Sequence, residues 1–308
     1  MHPFRFGVTV SRAPSAEAWA ALARRAEELG YATLVMPDHL GRQLSPIAAL
    51  AAAATATRSL RIGSFVFAND YRHPLVLARE AATLDVLSGG RFELGIGAGW
   101  RTDDYRQLGM AYQRPGLRIE RLEESLLILK RLFAGERVTH DGTHYQLHGA
   151  RLAPLPVQRP APPIVIGGGG PRLLRLAARH AQTVGLLPQF DTRGRPMVAQ
   201  GTEAATEQKV AILREAAGSG FEALELNVLV ADAGVIGTGS GPMASVGAIA
   251  KSLAPRLVGG TPYAMYGTLR QLREQLERRR DRLGISYYVW SARLMEQMAP
   301  LVAELAGR

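Results

Sequence analysis

The fold is decided by residues 83–100, which read TLDVLSGGRFELGIGAGW. This stretch begins in a helical pattern that starts at Pro74, turns at Gly89 and Gly90, and runs through a short apolar strand at residues 92–96. The strand is continuously apolar rather than alternating, which is typical of a parallel strand covered on both faces. One helix, one glycine turn and one buried strand in succession indicate an α/β fold.

The same alternation of strand and helix patterns occurs eight times along the chain. The other apolar runs lie at residues 4–10, 33–36, 60–67, 164–166, 183–187, 224–230 and 285–290. Eight strand–helix units predict a (β/α)8 TIM barrel formed by residues 1–308 as a single domain. A doubly wound open sheet is the alternative. That fold carries a G-x-G-x-x-G turn after its first strand, whereas residues 11–14 read SRAP.

Two segments depart from this repeat and are predicted to be insertions. Residues 135–163 contain a hairpin pattern around Asp141 and Gly142, followed by a proline-rich connection. Residues 233–262 are rich in glycine and serine, with a short helical pattern near residues 246–253. Long loops on a barrel serve either as lids over a site or as plain surface insertions, and the sequence leaves both readings open.

Composition excludes several classes of function. The chain of 308 residues is 47% hydrophobic and 21% charged, carries a net charge of +10 and contains no cysteine. Without cysteine there is no disulfide, thiol nucleophile or cysteine metal site. The arginines are scattered rather than clustered, so we do not expect nucleic-acid binding. The longest apolar run, near residues 47–54, is too short to span a bilayer, and we expect a cytoplasmic protein without a signal peptide.

Glycine turns follow two of the predicted strands at the end where barrel enzymes place their sites. Gly95, Gly97 and Gly99 follow one strand, and residues 167–170 are four glycines that run into Pro171. Unobstructed backbone N–H groups at a helix N-terminus suit a phosphate group. A tight turn without a ligand is the alternative. Two close-approach turns on neighbouring strands favour a flat cofactor over the barrel mouth.

Asp38 and His39 follow the second strand and form the strongest acid–base candidate. A histidine titrates near neutral pH, and a carboxylate can fix its tautomer. Adjacent residues on a strand point to opposite sides, so direct pairing between these two is not expected. A structural histidine and a capping aspartate are the alternatives. The other histidines lack a compact ligand pattern, so we expect no metal site, and no strand is followed by the G-x-S-x-G of hydrolases.

Together these motifs resemble the bacterial luciferase-like superfamily, and within it the oxidoreductases that depend on the deazaflavin coenzyme F420. The resemblance covers nearly the whole chain. It rests on Asp38-His39, on the residues from Ile62 to Val66 that lead to Arg72-His73-Pro74, on residues 83–100 and on residues 160–170.

The resemblance implies a non-prolyl cis peptide bond between Ser64 and Phe65 beside the deazaflavin ring. It implies that His39 faces the reacting edge of the cofactor as the catalytic residue. The implied cofactor-binding residues are Asp38, Ser64, Phe65, Val66, Asn69, Gly97, Ala98, Gly99, Gly168, Gly169 and Gly170, with the last three at the phosphate. The expected substrate pocket comprises Met36, Trp100, Gln189, Met265 and Trp290. Candidates for a basic rim facing the acidic tail of the cofactor are Arg12, Arg42, Arg72 and Arg101.

The implied activity is hydride transfer between deazaflavin and a small organic substrate, in a homodimer formed through residues 46–58 and the helix from Pro74 to Leu87. The sugar-phosphate dehydrogenase branch of the family carries a glutamate where Trp100 stands, so glucose 6-phosphate is not the expected substrate. Two alternatives remain open. One is an FMN-dependent monooxygenase fed by a separate reductase, and the other is a non-catalytic deazaflavin-binding protein.

Overall fold

The computed structural model describes residues 1–189, 197–235 and 260–308. Its strands are β1 (Arg5–Thr9), β2 (Thr33–Met36), β3 (Arg61–Ser64), β4 (Phe67–Ala68), β5 (Phe92–Gly97), β6 (Val138–Asp141), β7 (Gln146–Ala150), β8 (Ile164–Gly168), β9 (Thr183–Leu186), β10 (Glu225–Val230), β11 (Asp232–Val235), β12 (Ala264–Gly267) and β13 (Ile285–Ser291). Its helices are α1 (Ala16–Glu28), α2 (Pro46–Ala56), α3 (Pro74–Leu87), α4 (Thr102–Gln107), α5 (Pro115–Phe133), α6 (Pro171–His180), α7 (Glu203–Ala217), α8 (Leu269–Leu283) and α9 (Met295–Leu305).

All eight predicted strand regions form strands, and the chain folds as the predicted (β/α)8 barrel. The third barrel strand is interrupted. Its two pieces, β3 and β4, both pair with β5 in parallel. Proline occupies the first turn of α2, α3, α5 and α6, where its missing N–H costs no helical hydrogen bond. In the described residues, no helix has the length and hydropathy needed to cross a bilayer.

The chain divides into two compact units. The first comprises residues 1–10, 24–34 and 168–308, and the second comprises residues 11–23 and 35–167. The organisation as a single domain stays a prediction.

The first unit contains strands β9, β10, β13 and β1, which pair in parallel in that order. Its core is aromatic. Phe6 packs against Trp290 with ring centroids 5.4 Å apart, and the Trp290 indole donates to the Tyr31 hydroxyl at 3.0 Å. Both Phe6 and Trp290 are buried, and burying each ring contributes about 2–3 kcal/mol.

The second unit contains β5, which pairs in parallel with β8 and with the interrupted third strand. Helix α5 buries the predicted apolar stripe at Leu122, Leu126, Leu129 and Phe133. Its first predicted member, Ile119, is half-buried.

Much of the diagnostic block 83–100 is structural. The Arg91 guanidinium donates to the Ala54 carbonyl at 2.8 Å and so satisfies a carbonyl near the end of α2. The buried Asp85 carboxylate accepts from the backbone N–H groups of Val157 and Gln158 at 2.7 and 2.9 Å. These two side chains therefore fasten α2 and the proline-rich connection to the unit.

The first insertion contains the predicted hairpin, with β6 and β7 antiparallel. Glu124 on α5 anchors its turn, since the carboxylate accepts from the N–H of Tyr145 at 2.8 Å, the N–H of His144 at 3.0 Å and His140 Nε2 at 3.1 Å. Burial raises the pKa of Glu124, but these hydrogen bonds outweigh burial and leave the pKa below its usual value.

The second insertion is described only at its ends. Residues 233–235 belong to β11, which pairs in parallel with β12. The helical pattern expected at residues 246–253 lies outside the described residues.

Candidate active site

His39 and Asp104 form a hydrogen-bonded pair in the second unit. His39 Nδ1 lies 2.8 Å from Asp104 Oδ2, and the Asp104 side chain is fully buried whereas 24% of the His39 side chain is exposed. An ionised carboxylate only accepts hydrogen bonds, so Nδ1 carries the proton and donates it. The neutral ring then keeps Nε2 as an acceptor. This arrangement allows His39 to accept and return a proton at Nε2.

The short helix α4 places Asp104 beside His39. The N–H of Leu40 approaches Asp104 Oδ1 at 3.4 Å, so both carboxylate oxygens are engaged. Tyr71 is a further neighbour. Burial, together with the negative charge of Asp104, raises the pKa of Tyr71, so its hydroxyl stays protonated. Asp104 was not foreseen from the sequence.

Trp100 lies against His39 with its ring perpendicular to the imidazole and 5.4 Å away between centroids. Side-chain hydrogen bonds to its backbone carbonyls hold the turn that carries Trp100. Arg118 donates to the carbonyls of Ala98, at 3.1 Å, and of Gly99, and the Tyr112 hydroxyl donates to the Trp100 carbonyl at 3.0 Å. The predicted residues Ala98, Gly99 and Trp100 therefore lie in one fixed turn.

Gly99 requires glycine for two reasons. Its φ is +72°, in the left-handed region, and a Cβ there would lie 2.1 Å from the Tyr105 hydroxyl oxygen. Tyr105 in turn donates to Asp70 Oδ2 at 3.0 Å.

Asp38 is also engaged, with partners different from those of His39. The Arg72 guanidinium donates to Asp38 Oδ2 at 2.6 Å and to Oδ1 at 3.3 Å, and the N–H of Ala68 donates to Oδ2 at 3.1 Å. The sequence placed Arg72 on a basic rim. In the structure it lies between Asp38 and Glu80, 3.2 Å from Glu80 Oε2. Asp38 and Arg72 therefore hold the segment that follows β4.

A cis peptide bond interrupts the third barrel strand, but its position corrects the expectation. It joins Phe65 to Val66, not Ser64 to Phe65. The N–H of Phe65 still donates to the Met36 carbonyl at 2.7 Å, so strand pairing continues through Phe65. The glycines of β5 fit this segment closely. A Cβ at Gly95 would lie 1.8 Å from the Ser64 carbonyl oxygen, and one at Gly97 would lie 2.8 Å from Val66 Cγ2.

Asn69, which follows β4, is fully buried, and only one of the two polar atoms of its amide has a hydrogen-bond partner among the described residues. Its Nδ2 donates to the Tyr145 hydroxyl at 3.1 Å, whereas Oδ1 has no hydrogen-bond partner among the described residues. Tyr145 belongs to the hairpin turn anchored by Glu124. The hairpin therefore fixes the orientation of the Asn69 amide, a role that the sequence did not indicate.

The four-glycine turn lies at the end of β8, and Gly168–Gly170 belong to the first unit. Gly170 caps helix α6 and Pro171 begins it, as predicted. A Cβ at Gly169 would lie 2.1 Å from the Leu187 carbonyl oxygen, whereas a Cβ at Gly170 would meet nothing within 4 Å. Gln189 donates to the Gly169 carbonyl at 3.3 Å.

Three of the five expected substrate residues lie in the core. Met36, Met265 and Trp290 have 0% exposure and pack in the interior, so their role in a substrate pocket stays a prediction. Trp100 is 36% exposed and Gln189 is half-buried. Among the described residues, no group of three or more His, Cys, Asp or Glu side chains is arranged to hold a metal ion.

The fold and the site define a (β/α)8 barrel with a histidine–carboxylate pair at the carboxyl end of its second strand. The sequence profile of the luciferase-like monooxygenase family matches residues 1–225, and the chain belongs to this family.

Two relatives illustrate the range of named activities. An F420-dependent glucose-6-phosphate dehydrogenase of Microbacterium testaceum (strain StLB037) is 36% identical over 165 residues, covering 51% of this chain and 48% of the relative. The 4-hydroxyprotoasukamycin monooxygenase of Streptomyces nodosus subsp. asukaensis is also 36% identical over 165 residues, covering 52% of this chain and 44% of the relative. The matches thus span about half the length of these curated relatives.

Solved structures share the fold over almost the whole chain. The coenzyme F420 dependent tetrahydromethanopterin reductase from Methanopyrus kandleri has a TM-score of 0.78 at 18% identity, covering 99% of this chain and 98% of that one. The monooxygenase RslO1 from Streptomyces bottropensis has a TM-score of 0.76 at 22% identity, covering 97% of this chain and 99% of that one.

Proposed function

We propose that this protein is an oxidoreductase that transfers a hydride between coenzyme F420 and a small organic substrate, with His39 as the proton donor or acceptor. The observation that carries the proposal is the pair of His39 and Asp104, in which a buried carboxylate orients a partly exposed imidazole. Relatives named as F420-dependent dehydrogenases support the choice of cofactor.

The residues after β4 fit the ring of a deazaflavin. Such a ring carries a pyrimidine N–H between two carbonyl groups. Asn69 Oδ1 is a buried acceptor that has no hydrogen-bond donor among the described residues, and a buried polar atom normally has a partner. Tyr145 holds the other end of the amide, which leaves Oδ1 to accept the ring N–H. Asp38 supports this position by holding the Ala68 N–H and Arg72.

The backbone of Ser64, Phe65 and Val66 and the turn of Gly97, Ala98 and Gly99 are proposed as the remaining ring contacts. The glycine turn Gly168–Gly170 is proposed, on its own geometry, to bind a phosphate group at the N-terminus of α6. A bound deazaflavin would supply a two-electron hydride carrier, and the protein supplies the proton chemistry and the orientation.

His39 Nε2 exchanges the proton that balances the hydride. When His39 accepts a proton, the imidazolium stays hydrogen-bonded to the negative Asp104, which stabilises the charge by about 1.5–3 kcal/mol. When His39 donates, the same bond keeps Nδ1 protonated and returns the ring to one tautomer. Asp104 is therefore a positioning residue that acts through His39.

Titration of the apo protein with coenzyme F420 and, separately, with FMN tests the cofactor. We expect the lower Kd for F420, with the His39→Ala variant binding it as tightly as the wild type. Tighter binding of FMN would favour the second candidate, a monooxygenase supplied by a separate reductase, which the 4-hydroxyprotoasukamycin monooxygenase supports. Binding of neither cofactor would overturn the proposal. If the protein bound F420 but the reduced cofactor passed its hydride to no acceptor, the alternative of a non-catalytic deazaflavin-binding protein would replace the proposal.

A homodimer through α2 and α3 is part of the proposal. Helix α3 exposes Val76, Val86 and Leu87 at 39, 41 and 53%. A contiguous apolar patch is typical of an interaction surface, and three exposed apolar side chains on one helix support the proposal of an interface there. Light scattering should give twice the monomer mass, and a Leu87→Glu variant should give the monomer mass.

A further inference from the structure

We propose that the substrate is a planar aromatic compound of low polarity, which stacks on Trp100 beside His39. The inference rests on the proposed function for the reaction, but the binding site that it names stands on separate observations. These are the exposed apolar residues around His39, the rigidity of the turn that carries Trp100 and the hydrogen bonds that already engage the nearby carboxylates.

Three large apolar side chains are exposed around His39. Leu40, Trp100 and Tyr112 are 41, 36 and 39% exposed, and we call these three residues the Trp100 rim. Leu40 follows His39 directly, Trp100 contacts the imidazole ring, and Tyr112 bonds to the Trp100 carbonyl. Exposed aromatic and aliphatic surface next to a histidine with a usable Nε2 favours an apolar substrate.

The Trp100 rim is fixed before any ligand arrives. Arg118 and Tyr112 hold three successive carbonyls of the turn, and Gly99 leaves no space between the turn and Tyr105. The Arg118 guanidinium also lies 4.2 Å from the centroid of the Tyr112 ring. A rigid aromatic platform loses little conformational freedom when a second ring stacks on it, which favours binding of flat molecules.

The carboxylates near His39 are already engaged. Asp104 accepts from His39 and Leu40, and Asp38 accepts from Arg72 and Ala68. Recognition of a polyhydroxylated substrate needs side chains that accept its hydroxyl protons, because a hydroxyl that is buried without a partner is costly. The Trp100 rim supplies stacking surface instead. The geometry therefore points to a flat, apolar ring system rather than a sugar.

A matched ligand pair tests this inference. The probes are 2-acetylnaphthalene and its fully saturated decahydro counterpart, which share the ketone and the carbon skeleton but differ in planarity and aromaticity. Binding of each to the full chain is measured by saturation-transfer NMR, in the apo form and with each cofactor added. Glucose 6-phosphate is the third probe.

We expect the naphthyl ketone to bind about fivefold more tightly than the saturated ketone, as one stacked aromatic pair allows. Trp100→Ala should abolish this difference, whereas Trp100→Phe should retain most of it. Leu40→Ala should weaken both ketones by about twofold to fivefold, and Leu127→Ala, which removes a 47% exposed leucine from α5, should change neither.

Equal affinities for the two ketones in the wild type, an unchanged preference in Trp100→Ala, or tighter binding of glucose 6-phosphate would each overturn the inference. So would the absence of binding of either ketone in every cofactor state. Failure of the proposed function has a different signature, because the protein would then bind neither cofactor while the preference for the naphthyl ketone in the apo form persisted.

Discussion

Asp104→Asn removes the charge that faces His39 while keeping the size of the side chain and one acceptor oxygen. In the structure His39 Nδ1 lies 2.8 Å from a fully buried carboxylate oxygen. A hydrogen bond to a charged group is worth about 1.5–3 kcal/mol. Asn still accepts a hydrogen bond, but a bond to a neutral acceptor is worth only about 0.5–1.5 kcal/mol, so the protonated ring loses about 1–1.5 kcal/mol of stabilisation. The proton-coupled step should therefore slow by about tenfold, since 1.4 kcal/mol corresponds to a factor of ten.

The assay is a single turnover followed by the absorbance change of the deazaflavin at saturating cofactor and substrate. Cofactor affinity should stay within about twofold of the wild type, because Asp104 is not proposed to contact the cofactor. Asp103→Asn is the matched control, since the neighbouring Asp103 side chain is 57% exposed and pairs with Arg106 on the same helix. An unchanged rate in Asp104→Asn, or an equal loss in Asp103→Asn, would refute the role assigned to the pair.

Three further predictions concern stability, measured by urea unfolding. Burial lowers the pKa of Lys209 to about 8, so the folded state releases this proton at a lower pH than the unfolded chain does. The wild type should therefore gain stability as the pH rises from about 8 to 10.5, and Lys209→Met should lack this gain. The pKa of Glu124 is lowered, so Glu124→Gln should cost about 1–3 kcal/mol at pH 7 and progressively less as the pH falls below about 4.5. Gly99→Ala should cost more than Gly89→Ala, because both glycines have positive φ but only Gly99 would place a Cβ against Tyr105. A pH-independent effect at Lys209 or Glu124, or equal costs at the two glycines, would contradict these accounts.

The barrel could be predicted because its strands are continuous apolar runs, each separated from the next by a helix of clear period. Asp38 and His39 followed from a single rule, that barrel sites lie at the carboxyl ends of strands. The structure agrees that these two residues face different partners, Arg72 and Asp104. Local pattern was sufficient for both results, because strand ends and side-chain alternation are local properties.

Asp104 could not be predicted, because tertiary burial alone distinguishes it from Asp103. Both aspartates lie in the first turn of α4, and the sequence carries no sign that one is buried and the other exposed. The burial of Met36 and Trp290 could not be predicted for a similar reason. The rule on strand ends predicts where a residue lies along its strand. Whether its side chain is exposed or buried depends on the helices and strands that pack around it.

The hydrogen bond from Phe65 to the Met36 carbonyl joins two segments about 30 residues apart. A contact of this kind leaves no mark on the local sequence pattern. The hairpin contact from Tyr145 to Asn69 is longer in range and was missed for the same reason.

The central claim is that His39 moves the proton that accompanies hydride transfer. The most direct measurement compares the wild type with His39→Ala, both saturated with coenzyme F420, in a single-turnover absorbance experiment. We expect equal cofactor affinity and a rate at least about 100-fold lower in the variant, in line with general acid–base catalysis. A variant that bound the cofactor equally well and turned over at the rate of the wild type would contradict this claim.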